Sequence, residues 1–89
     1  MDWLVKYEKR AIKQLEKLPT LARQRIEEKL QQIANTGNPR DRGKSLKGNL
    51  SSHWRYRIGE YRVLCDIRDK ELIILVIDIG DRKDIYKKK

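Results

Sequence analysis

Gly59-Glu60 is the feature that most constrains this chain. It separates two β-patterned runs, residues 52–58 and 61–67. Glycine at the first place of a two-residue loop suits a type II′ hairpin, and so short a loop fixes strand register. Ile58 then faces Tyr61, Arg57 faces Arg62, Tyr56 faces Val63 and Arg55 faces Leu64. Directly paired residues share a face and successive residues alternate. Trp54, Tyr56, Ile58, Tyr61, Val63 and Cys65 therefore form a core face, and Arg55, Arg57 and Arg62 stand on the other with no carboxylate among them.

A third run, residues 72–79, follows the polar stretch Arg68-Asp69-Lys70-Glu71. A two-residue turn at Asp69-Lys70 predicts Arg68 opposite Glu71 and Val63 opposite Val76. Leu72, Ile74 and Val76 then join the core face. Ile73, Leu75, Ile77 and Ile79 fall on the arginine side, with Ile77 beside Arg62. A strand apolar on both faces belongs inside a sheet, partly covered on each side. The exit at Gly80 lies near the arginine hairpin, so the segment with Arg82 and Tyr86 starts beside Arg57 and Arg62.

Upstream, Trp3 to Tyr7 alternates as a short strand. Residues 8–18 carry Ala11, Ile12, Leu15 and Leu18 on one helical stripe, and Pro19 stops that helix. Thr20 is the expected N-cap of a second helix to residue 35, with Leu21 or Ala22, Ile26, Leu30, Ile33 and Ala34 facing inward. Asn35-Thr36-Gly37 closes it and Pro39 prevents its resumption. Residues 38–50 read as a basic loop with Arg40, Arg42, Lys44 and Lys47 against Asp41 alone. The order β-α-α-β-β-β predicts an α+β domain, an N-terminal strand and helical hairpin packed on a mainly antiparallel four-stranded sheet, first strand paired to last.

With 89 residues the chain is one small domain. Its formal net charge of +9 points to a phosphate-rich partner, nucleic acid before membrane, and to an acidic protein that could neutralise it. One cysteine excludes an internal disulfide framework and fits a reducing cytoplasm. No apolar run approaches the roughly 20 residues that span a bilayer.

The arginine face reads either as a solvated sheet surface or as a phosphate site, since the guanidinium fork bonds phosphate oxygens bidentately and stays charged. Tyr86 reads either as a tail anchor or as a platform for an unpaired base. His53, the only histidine, shares the arginine face by parity but lies at its far end. Cys65 is core. Asp66, Asp78, Asp81 and Asp84 match no compact ligand set, so no metal and no cofactor is expected. Lys83, Lys87 and the loop cations are generic polyanion attractors.

The stretches Trp54-Arg55-Tyr56-Arg57-Ile58-Gly59-Glu60-Tyr61-Arg62-Val63 and Val76-Ile77-Asp78-Ile79-Gly80-Asp81-Arg82-Lys83-Asp84-Ile85-Tyr86 resemble the signature blocks of the RelE/ParE toxin superfamily. Ser45-Leu46-Lys47-Gly48 and Tyr7-Glu8-Lys9-Arg10-Ala11 are similar to family stretches too, so the likeness covers nearly the whole chain. It implies a microbial type II toxin held by an acidic antitoxin, with operator DNA engaged only through that complex. RelE-like members cut messenger RNA in the ribosomal decoding site through the RNA's own 2′-hydroxyl, without a metal; ParE-like members inhibit DNA gyrase. By this likeness Arg55, Arg57, Arg62, Arg82 and Tyr86 are the catalytic set, and Arg40, Arg42, Lys44, Lys47, Lys83 and Lys87 hold RNA or ribosome. That set favours the RelE type; the alternatives are a ParE-like gyrase inhibitor and a non-catalytic nucleic-acid binder. Two departures stand out. Well-studied members have lysines where Arg55 and Arg57 stand, and similar sequences have a histidine where Asp81 stands.

Overall fold

The computed structural model describes residues 3–45 and 53–81. The elements are β1 (Leu4–Tyr7), α1 (Lys9–Glu16), α2 (Thr20–Asn35), a 3₁₀ turn (Pro39–Asp41), β2 (Lys44–Ser45), β3 (His53–Ile58), β4 (Tyr61–Arg68) and β5 (Ile73–Asp81). The strands form one five-stranded sheet in the order β1-β5-β4-β3-β2. As the sequence predicts, the first strand joins the last, in parallel, and the remaining pairs are antiparallel. The fifth strand, β2, was expected as loop; two residues give a periodicity argument nothing to act on.

Both helices pack on one sheet face. Ala11 and Leu15 of α1 and Ile26, Leu30, Ile33 and Ala34 of α2 meet Tyr56, Ile58, Val63, Cys65, Ile74, Val76 and Ile79 in a single core. Ile26 and Leu30 are wholly enclosed, so truncating either to alanine removes about 2–5 kcal/mol of stability. Ile12, expected inside, is exposed, and so is Leu21. On a helix as short as α1 only one narrow stripe reaches the sheet, and Ala11 and Leu15 occupy it. The residue preceding α2 is Pro19, extended at ψ 148°, so Pro19 and not Thr20 holds the cap position, and no side chain caps that end. Trp3 docks the start of the chain: its indole N–H donates to the Gly37 carbonyl at 3.1 Å.

The hairpin register matches the expectation from Gly59-Glu60, from Ile58↔Tyr61 out to His53↔Asp66. The β4–β5 register does not. Residues 69–72 form a longer turn, with Leu72 at φ 55° and its N–H on the Asp69 carbonyl, so Arg68 faces Ile73 instead of Glu71. A bulge then interrupts the ladder: Cys65 pairs with Val76, but Leu64 pairs with Asp78, leaving Ile77 as the extra residue. The shift reverses facing beyond it. Ile79, expected on the arginine side, is buried opposite Val63, and Arg62 lies opposite Gly80 instead of Ile77.

Past the end of β1, the edge of β5 is closed by α1. The Ile79 N–H donates to Gln14 Oε1 at 2.7 Å, and Gln14 Nε2 donates to Asp78 Oδ1 at 2.6 Å. An unpaired edge N–H is thus satisfied by a side chain.

Candidate functional site

The β3–β4 hairpin puts Arg57 directly across from Arg62, and the β2–β3 pair puts Lys44 directly across from Arg55. Opposed residues share a face, and Arg55 and Arg57 are two apart on one strand. Four cations therefore gather on one side of three strands. Like charges directly opposite each other across a ladder destabilise it. Here two such pairs stand side by side.

Arg55, Arg57, Arg62, Lys44 and Gly43 line one cleft of about 400 Å³ with no carboxylate among them. Arg62 is its floor, only 7% exposed, whereas Arg57 is exposed. Across the ladder from Arg62 stands Gly80, which carries no side chain. Among the described residues, no ion pair joins Arg55, Arg57 or Lys44 to a carboxylate. Such a pocket offers several forked donors and concentrated positive potential to one oxyanion.

The loop before β2 forms the rim, and the core fixes it. The buried Tyr56 hydroxyl donates to the Pro39 carbonyl at 2.7 Å, and burial pushes that phenol's pKa well above its ordinary value. The Trp54 indole N–H donates to the Arg42 carbonyl. Gly43 sits at φ +81°, a conformation glycine adopts without strain, and a Cβ there would lie 2.6 Å from the Trp54 indole nitrogen and closer still to the Arg55 carbonyl. Only a glycine lets the loop lie this close to β3.

Other expected residues fall elsewhere. Arg40 is forked on Asp69, with N–O distances of 2.6 and 2.8 Å, and lies 6.0 Å from the Trp54 ring centroid. That hydrogen bonding raises the arginine's pKa and lowers the carboxylate's. Its fork is thus occupied by Asp69. Arg42 is exposed on the rim loop, outside the cleft lining. His53 pairs with Asp66 at the far end of the hairpin, away from the cleft. Cys65 is buried in the core, and burial pushes its thiol far above the ordinary range. Among the described residues no cluster of three or more His, Cys, Asp or Glu could hold a metal. Lys47, Arg82, Lys83, Tyr86 and Lys87 lie outside the described residues.

Two lining residues escaped the sequence reading in their specific place. Lys44 was one basic residue in a loop, and Gly43 was not singled out. No local signal could place them, because β2 meets β3 through tertiary pairing alone.

Against known proteins, residues 5–86 match the family model described as the ParE toxin of the type II toxin–antitoxin system, parDE. The chain belongs to this toxin family. It is similar to the mRNA interferase toxin RelE of Escherichia coli (strain K12), at 25% identity over 97% of this chain and 92% of that protein. Among solved structures, RelBE2 from Mycobacterium tuberculosis superposes with a TM-score of 0.82 at 24% identity, covering 92% of this chain and 93% of that one. The archaeal RelE–RelB complex from Pyrococcus horikoshii gives 0.72 at 27% identity, covering 92% of this chain and 97% of that one. These establish the toxin superfamily and its α+β fold. Among the described residues no helix is long and apolar enough to cross a membrane.

Proposed function

We propose that this toxin is a ribosome-dependent endoribonuclease that cuts messenger RNA in the decoding site and is held inactive by a cognate acidic antitoxin. The cleft carries the reading: four cations on one sheet face, two like-charged pairs, and no lining carboxylate among the described residues. The similarity to proteins named mRNA interferase, and to toxins solved with the antitoxin RelB, supports it.

In the proposed reaction the 2′-oxygen of one nucleotide attacks the adjacent phosphorus. A phosphorus–oxygen bond forms as the bond to the 5′-oxygen breaks, leaving a 2′,3′-cyclic phosphate. The 2′-hydroxyl proton leaves to a base and the 5′-oxygen gains one. Arg62 and Arg82 hold the scissile phosphate and offset the charge that grows on its oxygens. Arg55 and Arg57 orient the RNA and assist proton transfer, and Tyr86 stacks on or orients the nucleotide. A guanidinium, with a pKa above ~12, is a poor general base. Charge stabilisation and alignment of the attacking oxygen therefore supply most of the rate. Arg40, Arg42, Lys44, Lys47, Lys83 and Lys87 attract the polyanion.

The family model's description favours a second reading, a ParE-like gyrase inhibitor without RNA chemistry. Mapping transcript ends after induction separates the two. Cuts in register with codons support the nuclease. A DNA-damage response without cuts supports gyrase inhibition and overturns the proposal. The double variant Arg62→Ala with Arg82→Ala should end both cutting and growth arrest while still binding antitoxin; arrest that persists refutes the site.

A further inference from the structure

The arginine cleft does not end at the hairpin. Arg57 also lines a neighbouring cleft of about 460 Å³ on its other side, with Arg25, Lys29, Glu28 and Gln32 of α2. Residues 25, 28, 29 and 32 follow the i, i+3, i+4, i+7 spacing of one helix face, beside the buried stripe of Ile26, Leu30 and Ile33. This face lies alongside β3, whose Arg57 and Ile58 share the cleft lining with it. Arg25 reaches over the Gly59 turn: a Cβ on Gly59 would lie 3.8 Å from its guanidinium nitrogen. Among the described residues neither Arg25 nor Lys29 forms an ion pair. Among the described residues Glu28 is the one acidic member of the lining, so the local balance stays positive.

We propose that Arg25 and Lys29, with Arg57 as the shared member, seat a second phosphate of a single RNA strand, flanking the phosphate held in the arginine cleft. The inference rests on the RNA reading of that cleft and extends it to a path over the hairpin and along α2. Five donors in a fixed fork let Arg57 bond neighbouring phosphates at once. The Gln32 amide offers both a donor and an acceptor to the sugar or base between them. An acidic protein segment would meet the same charges. RNA is favoured because the second cleft continues the first through a shared side chain.

The test is equilibrium binding of the full chain to RNA oligomers carrying a 2′-deoxy block at the cut position, three and eight nucleotides long. For the wild type, the longer oligomer should bind about tenfold tighter, with a steeper salt dependence. In Arg25→Gln with Lys29→Gln that gain should disappear, and the slope of log K against log salt should fall by about 1.4, two contacts at ~0.7 each. Lys9→Gln with Lys13→Gln on α1 removes the same net charge and should keep the gain. A gain that survives in the α2 variant, or vanishes equally in the α1 variant, overturns the inference. So does an α2 variant that loses antitoxin affinity while keeping the gain, because that face would then be a protein surface. A trimer that fails to bind, or binds equally well to Arg55→Ala with Arg62→Met, overturns the cleft reading itself and this extension with it.

Discussion

Two arginine sites lie on neighbouring parts of this molecule and behave in opposite ways. Arg40, on the loop before β2, has its fork filled by Asp69 and its flank on Trp54. Arg55 and Arg57, a few residues on, face other cations across the ladder, and among the described residues no carboxylate lines their cleft. The first site uses charge to tie down a loop. The second accumulates charge at a cost to the fold. With a net charge of +9, cation density alone does not locate function here; what separates the sites is where the carboxylates stand.

The largest test of the contrast is kinetic. Arg55→Ala with Arg62→Met should lower ribosome-dependent cutting by at least about 10³-fold, since one preorganised donor is commonly worth 10²–10³. Arg40→Gln should change it by less than about fivefold, because its fork is already occupied. Equal losses in the two variants would erase the distinction.

The rim that joins the sites comes next. Gly43→Val forces a β-branched residue to φ +81° and drives Cβ against the Trp54 indole and the Arg55 carbonyl. It should lose about 1–3 kcal/mol in urea unfolding and misplace Lys44. Tyr56→Phe leaves the Pro39 carbonyl without its buried donor and should lose about 1–2 kcal/mol. An unchanged urea midpoint in both would mean that the core does not hold the rim.

The smallest effect belongs to the exposed pair. Asp69→Asn should lose no more than about 1 kcal/mol, and less at high salt. Arg40 holds the Asp69 carboxyl below the ordinary aspartate value, so the folded state favours the ionised form. The pair's contribution is therefore complete above that value and fades as pH falls through the lower folded value. Wild type and variant should converge in acid; a gap that persists there would mean the ion pair is not its source.

Much of this was legible in the chain. Gly59-Glu60 fixed the hairpin register because a two-residue loop leaves one pairing, and with it Arg57 against Arg62 and the core face of Trp54, Tyr56 and Val63. The helical stripe Ile26, Leu30 and Ile33 placed α2, and Pro19 divided the helices. The same reasoning misplaced Ile79, since nothing local marks where a ladder takes an extra residue, and it assumed a two-residue turn where residues 69–72 make a longer one.

Sequence by itself determined the two helices, the four longer strands, the hairpin and the separation of arginines from core, because each follows from periodicity and a short loop. Tertiary structure decided what closes around those arginines. The bulge at Ile77 sets Gly80 over Arg62, the two residues of β2 bring Lys44 against Arg55, and Asp69 captures Arg40. Each of these joins residues far apart in the chain or turns on a single extra residue, and short-range periodicity carries no information about either.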